Sequence, residues 1–338
     1  MAALAVTNPT ILDIAKATDP DGKIAAIIEI LNETNEILLD MSWAEGNLPT
    51  GHRTTIRTGI PAPTWRQFNA GVQPTKGTSA QVTFNCGMME NFSEIDAALA
   101  ELNGNTAAYR VSQDRAVLEG FNQEMADTLF YGNEGTEPEA FTGLTPYYNS
   151  LSGNNSSHVI TGGGSGSDNA SIWLVGWGDN KIRGLVPKGS VAGFQMTDMG
   201  KTVIENADGS SGRMVAYRTH YRWDAGLAVE DWRYAVRIPN IDKSALSVVY
   251  TSGAFASPSA HLPNLMFQAI RRLPSLSNCR PVFYMSRDVM TTLLQQIGAA
   301  VQNATLATTQ VGGVMTTTFM GIPIRRCDAL SADEAVVS

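Results

Sequence analysis

The chain has 338 residues, 43% of them hydrophobic and 17% charged, with a formal net charge of −8. That length suffices for the cores of two or three domains, and the charged share sits below the roughly 25% usual for globular chains, as expected when neighbouring molecules cover much of a surface. The acidic balance, with basic runs no longer than Arg271-Arg272 and Arg325-Arg326, excludes a dedicated nucleic-acid binder, which needs a basic footprint.

Residues 1–22 carry little pattern. From Lys23 to Asp40, Ile24, Ile27, Ile28, Leu31, Ile37 and Leu38 recur near helical spacing and predict a helix. Residues 46–82 change character. Gly and Pro recur, β-type stretches lie between them (Thr54–Thr58 and Thr64–Phe68), and no apolar face is broad enough for a core. Two readings fit: a surface linker, or an extended hairpin arm that becomes ordered against another subunit. Trp65 and Phe68 favour the arm, because solvated linkers seldom carry such aromatics.

The strongest helix signal spans 106–131, with Asn105 or Thr106 as cap and Gly132 as terminator. Val111, Leu118, Phe121, Met125 and Leu129 mark one apolar stripe; Arg110, Asp114, Arg115, Glu119 and Glu124 populate the remaining surface. At 1.5 Å per residue such a rod is about 39 Å long, enough to act as a structural spine. Residues 133–168 are turn-rich. Ser171–Trp177 and Lys181–Val186, separated by Gly178-Asp179-Asn180, predict a hairpin. Val215, Tyr217, Thr219, Tyr221 and Trp223 alternate with polar residues, Asp224-Ala225-Gly226 predicts a turn, and Leu227–Ile238 a return strand. A long antiparallel hairpin is therefore expected over 215–238.

The last third mixes both element types. Pro263–Leu273 predicts a helix, Arg280–Met285 a buried strand, and Ser286 caps a second helix that carries Asp288 in its first turn and closes at Gly298. Residues 299–313 are small and polar. Val314–Phe319 and Ile322–Cys327 form a final hairpin about Met320-Gly321. The fold class is α+β.

No catalytic pattern emerges. His52, His158, His220 and His261 are isolated, and the run Gly162–Gly166 lacks the Lys-Ser/Thr of a phosphate loop. Cys86, Cys279 and Cys327 are odd in number and far apart, which fits a reducing compartment and offers neither a disulfide framework nor zinc spacing. The N-terminus lacks a secretory pattern, and no apolar run approaches the ~20 residues of a membrane span. No cofactor, metal or catalytic group is expected. An α+β enzyme with an unrecognised site, running as a small oligomer, is the reading from another class.

Several segments together resemble the major capsid protein of tailed bacteriophages, the Johnson fold of the Hong Kong ninety-seven type. They are Leu129-Phe130-Tyr131-Gly132-Asn133, SIWLVGWGDNKIRGLVPKG at 171–189, YRWDAGLAVEDWRYAVRIPNI at 221–241, RPVFYMSRDVMTTL at 280–293 and FMGIPIRRCDAL at 319–330. The similarity covers most of the chain and is nearest the short-tailed branch of the Bordetella-phage and epsilon-fifteen groups. It implies an N-terminal arm at 1–45, an E-loop at 46–82, a peripheral domain at 83–256 holding the spine helix and the long hairpin, and an axial domain at 257–338. The segment order would be permuted relative to the type member. It further implies pentamers and hexamers of this chain closing into an icosahedral shell around double-stranded DNA, which is contacted without sequence specificity.

Scaffolding, portal and decoration or cement proteins are the other implied partners. A separate scaffold is expected because the type member's long cleaved N-terminal segment is missing here. No membrane is involved, and the location is the virion capsid, assembled in the host bacterial cytoplasm. Trp65 and Phe68 would anchor the arm across a subunit boundary, with Arg53, Arg57 and Arg66 meeting carboxylates such as Asp114 and Glu119 on a neighbour's spine helix, beside Arg110. Lys76 is a candidate for a covalent cross-link by region alone. An encapsulin-like nanocompartment shell is the alternative with the same fold.

Overall fold

The structure, a computed structural model, describes residues 35–102, 106–191, 193–205, 212–246, 250–251, 254–255, 260–299, 306–311, 314–330 and 333–338. Most of the helix expected from Lys23 lies outside these residues; its described end is a single helical turn, α1 (Ile37–Asp40), with Ile37 buried. Then follow β1 (Trp43–Glu45), β2 (Gly51–Gly59), β3 (Thr78–Asp96), the turn α2 (Ala97–Ala100) and α3 (Thr106–Tyr131). Two 3-10 turns lead to β4 (Asn169–Trp177), β5 (Ile182–Val186), β6 (Phe194–Glu205), β7 (Arg213–Val229) and β8 (Ala235–Asp242). After the short β9 (Tyr250–Thr251) and β10 (Ala254–Phe255) come α4 (Leu262–Arg272), β11 (Arg280–Met285), α5 (Arg287–Ala299), β12 (Leu306–Val311), β13 (Val314–Phe319) and β14 (Ile322–Arg326).

The main core is built on β4, whose nine residues are all buried, as in a strand covered on both faces. β11 pairs with one edge of β4 and β8 with the other, both antiparallel, and β14 extends the sheet beyond β11 in parallel. Trp173, Phe130, Tyr148 and Tyr284 interlock over β4, with Phe130 6.1 Å and Tyr148 5.7 Å from the Trp173 ring. α4 turns Met266, Ala269 and Ile270 inward, with Leu273 buried just past its end, and α5 turns Val289, Leu293 and Ile297. The last hairpin reverses through Met320 and Gly321, both at positive φ, the conformation that a two-residue turn between twisted strands demands. Gly132 ends α3 for want of space: a Cβ there would sit 2.5 Å from the Phe141 carbonyl oxygen.

Four expectations are corrected. The long hairpin is not at 215–238. β7 runs unbroken through Asp224-Ala225-Gly226, and its hairpin partner is the preceding strand, β6. The Asp-Ala-Gly triplet serves close strand packing instead of a turn: Gly226 pairs with Cys86, and a Cβ there would lie 2.8 Å from the Cys86 Sγ. The return stretch becomes β8, which joins β4. Second, β4 and β5 are no hairpin; they meet at one pair, Trp177 and Ile182, and β5 runs instead against β1 and β7. Third, Val111 and Leu118 are exposed, because only the C-terminal part of α3 enters the main core, through Met125, Ala126, Leu129 and Phe130. Fourth, a strand, β12, occupies part of 299–313 and pairs with β13. At α5, Ser286 precedes the helix, but its buried Oγ has no hydrogen-bond partner.

Candidate inter-subunit surface

Two features bear on contact between copies. The first is a hairpin arm. β2 and the first part of β3 pair antiparallel from Gly51–Asn85 to Gly59–Thr78, and β3 continues through residue 82, the expected end of the arm, into the body as one 19-residue strand. Beyond the pairs, Thr64–Phe68 reads as β-type in sequence yet forms no strand. From Ile60 to Gln81 every residue is exposed; Trp65 and Phe68 are fully so, and Ile60 is 84% exposed. Among the described residues the tip is tied only locally. Arg66 Nε donates to the Ala70 carbonyl at 2.9 Å, Thr75 Oγ1 to that of Ala62 at 3.2 Å, and Asn69 turns the chain at positive φ. A two-stranded ribbon with both faces in water is marginal by itself, and large exposed aromatics of this kind mark contact sites.

Arg53 is held at the arm's base, its Nε donating to Thr83 Oγ1 at 3.2 Å and its backbone N–H to Asn47 Oδ1 at 2.7 Å. Arg57 lies exposed further out on β2.

The second feature is the three-stranded sheet formed by β6, β7 and the second part of β3, with α3 across one face. Phe121 of α3 meets Phe194 edge-on at 5.2 Å and lies 6.4 Å from Tyr221. Arg110 is engaged within its own chain: its Nη2 lies 2.9 Å from Asp198 Oδ1 and its guanidinium 4.8 Å above the Tyr217 ring. That hydrogen bond holds the Asp198 carboxyl below its usual range. Asp114 faces Tyr221, whose phenol is pushed up by burial and then by the carboxylate. Its Oδ1 makes no hydrogen bond, so the two are neighbours without bonding geometry. Glu119 accepts from Gln123 Nε2 at 3.1 Å.

On the opposite face, register aligns a charged ladder. Arg222 binds Asp224 with two hydrogen bonds of 2.9 Å and reaches Glu90 at 3.6 Å; Glu90 also lies 3.4 Å from His220. Burial works against ionisation of Asp224, but the bonds from Arg222 and Ser190 hold its carboxyl below the usual range. Phe92 is stacked on His220 at 4.6 Å, with the Arg218 guanidinium 4.1 Å from its ring.

Between α3 and β3 runs a groove of about 570 Å³, lined by Met89–Ile95 on one side and by Gln113, Val117, Phe121 and Glu124 on the other. Its carboxylates are Glu90, Glu94 and Glu124; Asp114 and Glu119 are not among the lining residues. This strand went unread in the sequence, although Phe84, Cys86, Met88 and Phe92 alternate there. The histidines lie apart: His52 sits 3.1 Å from Glu230, and His261 caps α4 by accepting from the Asn264 N–H. Among the described residues no group of His, Cys, Asp and Glu is placed to hold a metal, and no helix is long and apolar enough to cross a membrane.

The family described as major capsid protein GP7 matches residues 19–338. The near-atomic structure of bacteriophage Epsilon15 is similar at 38% identity and a TM-score of 0.76, with 100% of both chains covered. The capsid of bacteriophage JBD30 is similar at 10% identity and a TM-score of 0.44, covering 97% of each chain. A holo-encapsulin complex from Synechococcus elongatus reaches 10% identity and 0.42, over 69% of this chain and 99% of that one. At those scores the last two carry no argument. No curated protein matches the chain.

Proposed function

The chain belongs to the family of major capsid protein GP7, and from that premise we propose that it builds an icosahedral phage shell from pentamers and hexamers around double-stranded DNA. That it is a shell-forming structural subunit of the Johnson fold follows from the family itself. The finer reading concerns how copies meet. Rings of five and six are heterologous contacts that close, so one surface of each copy must find a different surface on the next. The arm is the first such surface. Its exposed tip with Trp65 and Phe68 is the single observation that carries the reading, because among the described residues nothing covers these two side chains.

A scaffolding protein would set shell curvature during assembly in the host cytoplasm, a portal would replace one pentamer, and a decoration protein would bind outside. DNA would be touched without sequence readout, consistent with the net charge of −8.

The test is to express the chain with the scaffold encoded beside it and examine the product by size-exclusion chromatography and negative-stain microscopy. Closed shells are expected. A discrete species of a few copies under all conditions would overturn the reading.

A further inference from the structure

We propose that the pocket enclosed by the C-terminal part of α3, by β3 and β7 and by residues 137–141 binds a small organic ammonium ion that carries an apolar group. The pocket belongs neither to the arm nor to the charged ladder, and the argument does not depend on how copies meet.

The pocket measures about 250 Å³, room for one small ligand. Its floor is apolar. Met125 and Phe141 are buried there, and Met89 and Trp223, paired across β3 and β7, are partly buried. Its rim is acidic: Glu124, Glu137 and Glu139 line it and are exposed. Turns fix the outer wall, the Glu137 N–H donating to the Asn133 carbonyl at 2.9 Å and the Ala140 N–H to the Glu137 carbonyl at 3.1 Å. That wall closes on β3 because Gly87 has no side chain; a Cβ there would lie 3.0 Å from the Glu139 carbonyl oxygen.

The charge of the rim is unanswered. No Lys, Arg or His lines the pocket, and among the described residues none of the three carboxylates has an ion pair or a hydrogen-bond donor. Glu90 and Glu94 nearby are different, being paired with Arg222, His220 and Arg218. The occupant has to match both the floor and the rim. A metal ion matches neither: among the described residues no group of His, Cys, Asp and Glu is placed to hold one, and an apolar floor offers no oxygen ligands in place of its water. An ammonium ion with an aryl or alkyl group matches both. Its charge faces the carboxylates, and its carbon skeleton packs on Met89 and Met125, whose flexible thioethers adapt to a guest. The Trp223 and Phe141 rings favour apolar carbon and a neighbouring cation alike.

The probe is phenethylammonium, with 2-phenylethanol as its neutral analogue and ethylammonium as the analogue without a ring. Calorimetry uses the full chain as dissociated subunits at low ionic strength, where exposed charges are least screened. Phenethylammonium should bind with a Kd of about a millimolar or below. The neutral analogue should bind roughly fivefold more weakly, and ethylammonium not measurably. In protein labelled at the methionine methyl groups, the Met89 and Met125 resonances should shift while that of Met266 stays. Glu137→Gln/Glu139→Gln alters only exposed side chains, so the melting temperature should hold while affinity falls roughly fivefold. Equal affinity for 2-phenylethanol, unchanged affinity in the variant, or shifts confined to other methionines overturns the proposal. Binding to subunits that is lost in shells would mean that a neighbouring copy fills the pocket, and overturns it too.

Discussion

Arg237 and Glu334, 97 residues apart in sequence, form an ion pair at 2.9 Å with both side chains almost wholly buried. The pair is saturated: Arg237 also donates to Ser171 Oγ and the Tyr148 carbonyl, each at 3.1 Å, and Glu334 accepts from the Tyr131 hydroxyl at 2.7 Å. Asn240 completes the clasp on the C-terminal segment by exchanging two 2.8 Å bonds with the Val337 backbone. α3, β4, β8 and residues 334–338 are thereby fixed to one another.

Removing one member of this pair strands the other charge in the interior. Glu334→Gln should cost about 3–5 kcal/mol of stability, read by urea unfolding of the subunit. The double variant Arg237→Met/Glu334→Leu should recover much of that loss, since no charge is then left buried without a partner. Equal losses in single and double variants would show that packing of the segment, and not the ion pair, supplies the stability.

Acid sensitivity should begin near neutrality. Burial lowers the pKa of His158 from its ordinary 6.5, with Arg272 and Arg233 adding to the effect and Asp231 and the Ala235 carbonyl opposing it. The ring stands edge-on to Trp232 at 4.9 Å. The unfolded chain therefore binds this proton first, so stability is complete above about 6.5 and falls as the pH drops from there toward the lowered folded value. Asp224 and Asp231, whose pKa values are lowered, lose their contributions only as the pH falls below their ordinary value of 3.8. Melting temperatures of the subunit at pH 7.5 and 5.5 should show a drop that His158→Asn reduces. The same drop in both proteins would remove His158 as its source.

What the sequence disclosed depended on whether a pattern had one physical meaning. The strands β4 and β11 were legible from their apolar runs and α3 from its helical spacing, whereas the partners of β4 were not. Asp224-Ala225-Gly226 had two meanings, since small residues serve turns and close strand contacts alike, and only the position of Cys86 decides between them. Val111 and Leu118 continue the stripe of α3 in sequence, but what covers a stripe is set by distant elements. The pairing of β3 was illegible for the same reason, because its partners β2 and β7 come from distant parts of the chain.

Cys86 should be a poor nucleophile despite lying beside a surface groove. Burial first, and the Asp224 charge second, push its thiol up to about 11. At pH 7.5 so little thiolate is present that iodoacetamide should modify Cys86 on the order of a hundredfold more slowly than a free cysteine. Asp224→Asn should quicken the reaction by removing the nearby charge. Rapid labelling of the native protein would mean that this segment opens more readily than its packing implies.

The arm tip should matter to the assembly and not to the subunit. Trp65 and Phe68 are fully exposed, so Trp65→Ala or Phe68→Ala removes no buried area from an isolated chain. The melting temperature of the dissociated subunit should change by no more than a surface substitution allows, within about 0.5 kcal/mol. Between copies the same side chains are the large, rigid anchors that dominate an interface, where truncation costs roughly 2 kcal/mol or more per contact. Because each shell repeats the contact in every copy, even that loss should sharply lower particle yield at a fixed protein concentration. The measurement is shell yield by sedimentation beside subunit melting for each variant. Normal yield from Trp65→Ala and Phe68→Ala together would show that the exposed aromatics are not the anchors.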